Sequence, residues 1–269
     1  MAESIQNIFH RIGNLIVMAI LETGRTFLFA YQAIRLFFVP PKRIKDLIIH
    51  MEFVGNQSIL IIMLTGSFTG LALAYQIYMG FSLVNATNLV GPTVALGIYK
   101  ELAPVLTGLI VAARAGGAMT AQIGTMRVSE QIDALEVMGV DPIQYLVSPR
   151  ILAALISLPL LCGVFDFVAI NSAEFICTSV LELDKAIFWD KIYNWIQPRS
   201  IIEGLIKAAI FGLTFSVICT KTGFYTGGGA KGVGDSTNKG VVYSMVMIII
   251  FNFFTSNVIR MYFSLVDQW

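Results

Sequence analysis

Five long apolar segments limit what this chain of 269 residues can fold into. Each is long enough for a helix to cross a hydrocarbon core about 30 Å thick, which takes about 20 apolar residues. The hydrophobic content of 56% and the mean hydropathy of +0.76 exclude a soluble domain of ordinary composition. We therefore predict an all-α polytopic membrane protein with about five transmembrane helices. The segments cover residues 57–81, 90–120, 150–180, 201–221 and 241–265.

The N-terminal region differs from these segments because charges interrupt its apolar residues. Residues 4–38 include Arg11, Glu22, Arg25 and Arg35, so no uninterrupted run of about 20 apolar residues exists there. This pattern favours an amphipathic helix along the membrane face over a true span, and it does not resemble a cleavable signal peptide.

A proline pair, Pro40 and Pro41, should end that helix, and a second short helix over 42–55 should lead into the membrane. The whole chain, residues 1–269, is then one membrane domain. It consists of an interfacial helix and elbow over 1–55 and a transmembrane bundle over 57–265.

Basic residues predict the orientation of the bundle, because loops rich in Lys and Arg stay in the cytoplasm. With an odd number of spans, this places the N-terminus and residues 121–149 in the cytoplasm and the C-terminal Trp269 outside. The basic residues are Lys42, Arg43 and Lys45 in one loop, and Lys221, Lys231 and Lys239 in another.

A charged, amphipathic stretch from Arg127 to Asp141 interrupts the apolar segments and must lie outside the bilayer. Ser129 can cap the start of a helix there, and Gly139 followed by Asp141 and Pro142 supplies a stop. We predict a helix over 127–138 of about three turns. Its apolar side carries Val128, Ile132, Leu135 and Met138, and its acidic side carries Glu130, Asp133 and Glu136.

This helix has two interpretations. Helices that lie on headgroups are usually rich in Lys and Arg, whereas the polar face here is acidic apart from Arg127. An acidic face repels an anionic leaflet, so a protein partner fits it better than a lipid surface does.

Charged residues inside the apolar segments are the first candidates for function. Each costs about 2.5–3.5 kcal/mol even on the lenient insertion scale, so each needs a partner or a polar cavity. Glu203 and Lys207 are four residues apart and can form a local ion pair. Arg114 lies near a cytoplasmic end and can snorkel to the headgroups. The remaining members are Lys100, Glu101, Asp166, Glu174 and Arg260.

Small residues form two rows that let helices approach closely, which is most often ordinary packing within one chain. One row could also face a second copy. The rows are Gly66, Gly70 and Ala74, and Gly116, Thr120 and Gly124.

The glycine-rich stretch 222–240 contains Gly227, Gly229 and Gly232 in the spacing of a dinucleotide fingerprint. No strand precedes it and no Gly-Lys-Ser/Thr follows it, so we predict a flexible cytoplasmic loop and no ATP site in this chain.

Other features exclude further classes of site. The cysteines are odd in number and lie in apolar runs, which predicts neither a disulfide framework nor a metal site. His10 and His50 lie forty residues apart, and we expect no metal or catalytic role for them. The net charge of +1 and the lack of a basic tail argue against nucleic acid as a partner.

A dense set of motifs in residues 97–161 resembles the MlaE/YrbE permease family, the membrane subunits of ABC transporters that work with Mce-domain proteins. Outside this stretch the likeness is one of hydropathy and length. The motifs are Glu101–Pro104, Ala113–Gly116, Thr120–Gly124, Met126-Arg127, Glu130-Gln131, Leu135–Met138, Asp141-Pro142, Ser148–Arg150 and Ser157–Leu161.

The resemblance implies a permease subunit that moves phospholipid between the inner membrane and a periplasmic Mce-domain partner and so supports outer-membrane lipid asymmetry. It implies a homodimer docked on a cytoplasmic ABC ATPase subunit. That partner would bind and hydrolyse the ATP, so this chain would need no cofactor and would not itself be an enzyme.

The resemblance also assigns residues. In the family a basic-acidic pair lies by the central cavity where lipid headgroups bind, which implies a lipid-binding role for Lys100 and Glu101, and for Leu73, Gln76 and Phe81 at the outer end of the preceding span. Alternatively, Glu101 only ties two helices together. The residues implied in ATPase coupling are Arg127, Glu130, Gln131, Asp133, Leu135 and Glu136.

Two other classes of function stay open. An ion-coupled secondary transporter or channel could relay protons through Glu101, Asp166 and Glu174, but it would predict internal repeats, and none is evident in the sequence. An intramembrane enzyme would need paired His or Asp residues, or an activated Ser, at one depth, and no pattern here requires that.

Overall fold

The computed structural model describes residues 2–40 and 43–266, and this part of the chain forms helices and no β-strand. Short 3₁₀ and π-helical turns link some of the α-helices into longer, continuous ones. The α-helices are α1 (Ala2–Phe37), α2 (Ile44–Val54), α3 (Asn56–Ser82), α4 (Val90–Gly97), α5 (Ala103–Val111), α6 (Gly117–Val128), α7 (Gln131–Val137), α8 (Ser148–Ser179), α9 (Lys185–Trp195), α10 (Pro198–Phe224) and α11 (Gly229–Val266).

Five helical segments among the described residues are long and apolar enough to cross a membrane, which confirms the predicted all-α polytopic fold. Each begins before the predicted apolar run. The segments are Ile44–Ser82, Thr87–Val128, Ile143–Ser179, Pro198–Phe224 and Gly229–Met261. Pro41, Lys42 and Trp269, on which part of the predicted elbow and orientation rests, lie outside the described residues.

The most extensive helix contact joins α3 to α8, and the first row of small residues makes it possible. A Cβ atom at Gly66 would lie 3.3 Å from the carbonyl oxygen of Phe165, and one at Gly70 would lie 3.0 Å from the Cα of Ala169. Ala74 is fully buried in the same row. This row therefore packs inside one chain and is not a face for a second copy.

The second row packs α6 against α10 and α11. A Cβ atom at Gly116 would meet Phe215 at 3.2 Å, and one at Gly124 would meet Thr226 at 3.2 Å. The hydroxyl of Thr120 donates to the carbonyl oxygen of Cys219 at 3.0 Å. Both rows thus form internal contacts.

The glycine-rich stretch 222–240 is not the flexible loop that we predicted. α10 continues to Phe224, and α11 begins at Gly229, so only 225–228 are outside a helix. Gly228 and Gly229 have φ angles of +83° and +68°, which glycine adopts without steric cost and which reverse the chain in a short turn. A Cβ atom at Gly240 would lie 2.9 Å from the Thr120 hydroxyl oxygen. These glycines serve a tight turn and close packing on α6, not mobility.

The long helix α1 is held to the bundle by polar contacts and is not among the five spans. Lys221 on α10 donates to Glu22 Oε2 and to the Thr26 hydroxyl, both at 2.8 Å. This hydrogen bond lowers the pKa of the Glu22 carboxyl. The amide of Gln144 donates to the carbonyl oxygen of Val39 at 2.7 Å and so holds the chain just after α1. The interfacial position of α1 stays a prediction, and the helix exposes the large apolar residues that such a position needs, namely Leu21, Phe27, Leu28 and Tyr31.

We predict that Gly70→Ala lowers the free energy of unfolding by about 1–3 kcal/mol, because the added methyl group collides with the α8 backbone. Gly80→Ala on the same helix is the matched control, since nothing lies within 4 Å of its Cβ position. Thermal unfolding in detergent measures both. Equal stability of the two variants would contradict the close α3–α8 contact.

Candidate functional site

A π-helical turn, Ile98–Leu102, places Lys100 and Glu101 in the middle of a long span. In an α-helix the carbonyl oxygen of Lys100 would accept the backbone N–H of residue 104, but Pro104 has none. The Nζ of Lys207 on α10 donates to that carbonyl oxygen instead, at 2.7 Å. Pro104 is the sequence signal for this irregularity within the predicted span 90–120.

Four charged side chains meet beside this turn. Lys207 Nζ lies 3.0 Å from Glu101 Oε1 and 3.7 Å from Glu203 Oε1, and Lys100 Nζ lies 3.2 Å from Glu203 Oε2. We call Lys100, Glu101, Glu203 and Lys207 the charge cluster. Its two positive and two negative charges balance, which satisfies the requirement that a charge inside a bilayer has a partner.

The members of the charge cluster differ in exposure. The side chain of Lys207 is 0% exposed and that of Glu203 is 9% exposed, whereas those of Lys100 and Glu101 are 40% and 47% exposed. The predicted Glu203–Lys207 ion pair on α10 is present, but at 3.7 Å it is the longest contact of the three. The shorter contacts join α10 to the π-turn. The charge cluster is therefore an interhelical tie with two members that remain accessible.

The fifth span joins the charge cluster through two polar residues that the sequence analysis missed. The amide of Asn252 donates to Glu101 Oε2 at 2.9 Å, and the hydroxyl of Ser256 donates to Glu101 Oε1 at 3.1 Å. These residues lie four apart on α11, so they share one face of the helix. Two polar side chains at that spacing in an apolar run were the available signal.

An open groove of about 590 Å³ runs along α3 next to the π-turn. Leu73 and Gln76, both implied in lipid binding by the resemblance, line it together with Leu102 from the π-turn. Its lining from Leu64 to Gln76 spans roughly 18 Å of helix, more than half of a hydrocarbon core about 30 Å thick. Phe81 instead packs against the apolar core. The structure therefore brings Leu73 and Gln76 together in the groove and places Lys100 and Glu101 in the adjacent charge cluster.

Arg114 forms hydrogen bonds at the junction of α2 and α3, and its snorkelling to the headgroups stays a prediction. It lies in a second π-turn, Ala112–Gly116, and donates to the carbonyl oxygen of Phe53 at 3.0 Å and to the Ser58 hydroxyl at 2.6 Å. It also donates to the side-chain oxygen of Gln57. The guanidinium has five N–H donors, and the acceptors at the α2–α3 junction bind those on Nη1 and Nη2.

The ion-coupled transporter or channel would relay protons through Glu101, Asp166 and Glu174, but these carboxylates have no hydrogen-bond or ion-pair partner in common among the described residues. Glu174 pairs with Lys185 at 3.0 Å, and Glu101 belongs to the charge cluster. Asp166 is 5% exposed, and neither of its carboxyl oxygens has a hydrogen-bond partner within the described part of the chain. Asp166 and Glu174 are eight residues apart on α8, roughly 12 Å along the axis. No hydrogen-bonded path between them is found among the described residues.

The predicted helix over 127–138 is wrong at its start. Arg127 belongs to α6, which continues to Val128, and the Ser129 hydroxyl donates back to the Thr125 carbonyl oxygen at 2.8 Å. Ser129 therefore finishes α6 instead of capping a new helix, because a serine hydroxyl can bond to either side. Glu130 turns the chain with a φ angle of +60°. Only Gln131–Val137 then form α7, which is about two turns long.

The end of this helix is as predicted, because Gly139 has a φ angle of +73° and ends it. Its apolar face is split, however. Ile132 is buried and Leu135 is half-buried against the bundle, whereas Met138 is exposed and Val137 is 89% exposed. α7 therefore packs on one side and presents apolar residues on the other.

The acidic side of α7 is only partly free. Arg127 forms an ion pair with Asp133, so that carboxylate already has a partner within the chain. Glu130, Gln131 and Glu136 are exposed. The surface open to a partner thus consists of two carboxylates, an amide and the exposed residues Val137 and Met138.

We predict that Lys207→Met lowers the free energy of unfolding by about 3 kcal/mol, because it leaves two neighbouring carboxylates without their buried cation. Lys185→Met is the matched control, since it breaks the more exposed pair with Glu174 and should cost at most about 1 kcal/mol. Denaturant unfolding in detergent micelles tests both, and similar costs would show that the charge cluster does not stabilise the bundle.

Comparisons with known proteins agree with these features. The sequence profile described as Permease MlaE matches residues 47–258. A Rickettsia prowazekii protein named "Probable ABC transporter permease protein" is 38% identical over 246 residues, which is 91% of this chain and 95% of that protein.

Two further relatives have more specific names. The intermembrane phospholipid transport system permease protein MlaE of Haemophilus influenzae is 34% identical over 208 residues, 77% of this chain and 80% of that protein. The chloroplastic protein TRIGALACTOSYLDIACYLGLYCEROL 1 of Arabidopsis thaliana is 38% identical over 207 residues, 77% of this chain and 59% of that protein. With a profile that spans most of the chain and relatives above 30% identity, this chain belongs to the MlaE permease family.

Proposed function

We propose that this chain is the membrane subunit of an ABC transporter that moves phospholipid. The observation that carries the proposal is the accessible part of the charge cluster beside an open apolar groove, in a member of a permease family. A phospholipid needs both environments, because its headgroup is charged and its acyl chains are apolar. The phospholipid transport system named for the H. influenzae relative supports the same class of substrate.

The lipid would lie with its acyl chains along α3 and its headgroup at the π-turn. Leu73 and Gln76 line the groove, and so does Leu102. Lys100 and Glu101 precede Leu102 in the same π-turn. Phe81, near the end of α3, packs on the core and does not line the groove. In this arrangement Lys100 and Glu101 both tie helices together and face the ligand.

ATP would be bound by a separate cytoplasmic ATPase subunit that docks on α7. The docking residues are the exposed Glu130, Gln131 and Glu136, with Arg127 and Asp133 holding the helix end through their ion pair. Leu135 packs α7 on the bundle, so a push on α7 reaches the membrane domain. This chain would perform no covalent chemistry and would need no cofactor.

One long helical segment runs from the turn that precedes α7 to the candidate lipid site. Thr87–Val128 is a single span, and two π-turns interrupt it, at 98–102 and 112–116. π-turns are irregular points where a helix can change its local winding. Closure of the ATPase would move α7 and α6 and shift the π-turn that carries Lys100 and Glu101, so the groove would open and close.

The remaining assignments follow from the family. We infer a homodimer in the inner membrane, with the N-terminus in the cytoplasm, the C-terminus in the periplasm and an Mce-domain protein on the periplasmic side. Such an assembly would support outer-membrane lipid asymmetry. The whole chain, 1–269, acts as one permease domain in this proposal.

The proposal is tested by reconstituting the permease with its co-expressed ATPase in vesicles that contain a fluorescent phospholipid. We expect transfer of the lipid to acceptor vesicles to require ATP. Transfer driven by a proton gradient without the ATPase would contradict the proposal and favour the secondary-transporter alternative.

The same assay tests α7 with a double variant, Glu130→Lys with Glu136→Lys. Neither carboxylate belongs to an ion pair among the described side chains, so the change should release the ATPase and abolish transfer while the permease stays folded. Glu182→Lys is the control, because Glu182 is also exposed and has a similar φ angle of +54°. Normal ATPase binding by the double variant would refute the docking assignment.

A further inference from the structure

The charge cluster has unused hydrogen-bonding capacity on its accessible side. Lys100 carries three N–H donors, and its ammonium contacts Glu203 at 3.2 Å. With 40% of its side chain exposed, about two donors can face a ligand. Lys100 can therefore bind an anionic oxygen such as that of a phosphate.

Most, but not all, of the hydrogen-bond acceptor positions on the Glu101 carboxylate are used. A carboxylate offers about four acceptor positions. Three are used, by Lys207, Asn252 and Ser256. With 47% of the side chain exposed, about one position can accept a donor from a ligand. The accessible side of the charge cluster thus offers cationic donors and one anionic acceptor close together.

The buried members keep these two charges in place. Lys207 is fully buried and contacts Glu101, and Glu203 contacts Lys100, so each accessible charge has an opposite charge behind it. The charge cluster is neutral as a whole. A ligand with a net charge would place that charge next to whichever of Lys100 and Glu101 has the same sign. A ligand with one positive and one negative group can place each group beside the opposite charge.

We propose that the charge cluster selects a zwitterionic phospholipid headgroup that carries a phosphate and a primary ammonium. The phosphate accepts from Lys100, and the ammonium donates to the open position on Glu101. This inference rests on the proposed function, since it names the substrate class of the same site. The adjacent groove along α3 takes the acyl chains.

Other headgroups fit less well. An anionic headgroup with hydroxyls satisfies Lys100 but brings a net negative charge next to Glu101. A quaternary ammonium balances the charge but has no N–H to donate. A charge-assisted hydrogen bond is worth about 1.5–3 kcal/mol, which corresponds to a preference on the order of tenfold or more.

The test uses the permease–ATPase complex in detergent micelles and native mass spectrometry. Phosphatidylethanolamine, phosphatidylcholine and phosphatidylglycerol with identical acyl chains compete in pairs. We expect phosphatidylethanolamine to bind roughly tenfold more tightly than phosphatidylglycerol, with phosphatidylcholine between them. Equal binding of all three lipids would overturn the inference and leave the proposed function standing. If no phospholipid binds, the proposed function itself is contradicted.

Two variants test the named residues. Glu101→Gln keeps one of the two acceptor oxygens that Asn252 and Ser256 use and makes the charge cluster positive, so the preference should shift to phosphatidylglycerol. Glu174→Gln is the matched control, because it removes a carboxylate from the ion pair with Lys185, outside the charge cluster, and should keep the wild-type preference. An unchanged preference in Glu101→Gln would overturn the inference.

Lys100→Gln keeps the test decisive if Glu101→Gln does not fold, since Lys100 is partly exposed and its loss leaves Lys207 paired. Binding of phosphatidylglycerol should fall at least as much as binding of phosphatidylethanolamine. Binding of both lipids at the wild-type level would show that Lys100 does not contact the phosphate.

Discussion

The ammonium of Lys207 is the constraint on which the membrane bundle depends. It lies fully buried within an apolar helix, where an unpaired charge costs several kcal/mol. The partners that remove this cost come from two separate segments, the π-turn with Glu101 and the carbonyl oxygen of Lys100, and α10 itself with Glu203. Asn252 and Ser256 on α11 complete the arrangement through Glu101. One buried charge thus fixes the relative positions of three spans.

Pro104 explains why the charges could gather at this point. Because Pro104 has no backbone N–H, the carbonyl oxygen of Lys100 is free to accept a hydrogen bond from Lys207. In an apolar environment an unsatisfied carbonyl oxygen and an unpaired ammonium are both costly. Here the carbonyl oxygen of Lys100 and the ammonium of Lys207 satisfy each other. The second π-turn also carries a charged residue, Arg114, whose acceptors lie at the α2–α3 junction. Both irregular turns lie on the long helical segment that runs from the turn preceding α7 to the candidate lipid site.

Hydropathy predicted all five spans because a long apolar run can satisfy its backbone only as a helix in a bilayer. The rows around Gly70 and Thr120 were also visible, since small residues at a spacing of four mark close helix contacts. Ser129 was misassigned because its hydroxyl can bond either the helix before it or the helix after it, and only packing decides. The stretch 222–240 looked mobile because glycine serves tight packing and flexibility equally. The candidate site could be predicted only in part, because Lys100 and Glu101 were conspicuous but their pairing with Glu203, Lys207 and Asn252 depends on distances between helices.

The central claim is that Glu101 and Lys207 are energetically coupled across helices. A double-mutant cycle of Glu101→Gln and Lys207→Met, measured by unfolding in detergent micelles, tests it most directly. We predict that the double variant is no less stable than Lys207→Met alone, which corresponds to a coupling energy of about 1–3 kcal/mol, because the second change removes a carboxylate that the first has left without its cation. Additive effects of the two changes would contradict this account and show that the charge cluster does not act as a unit.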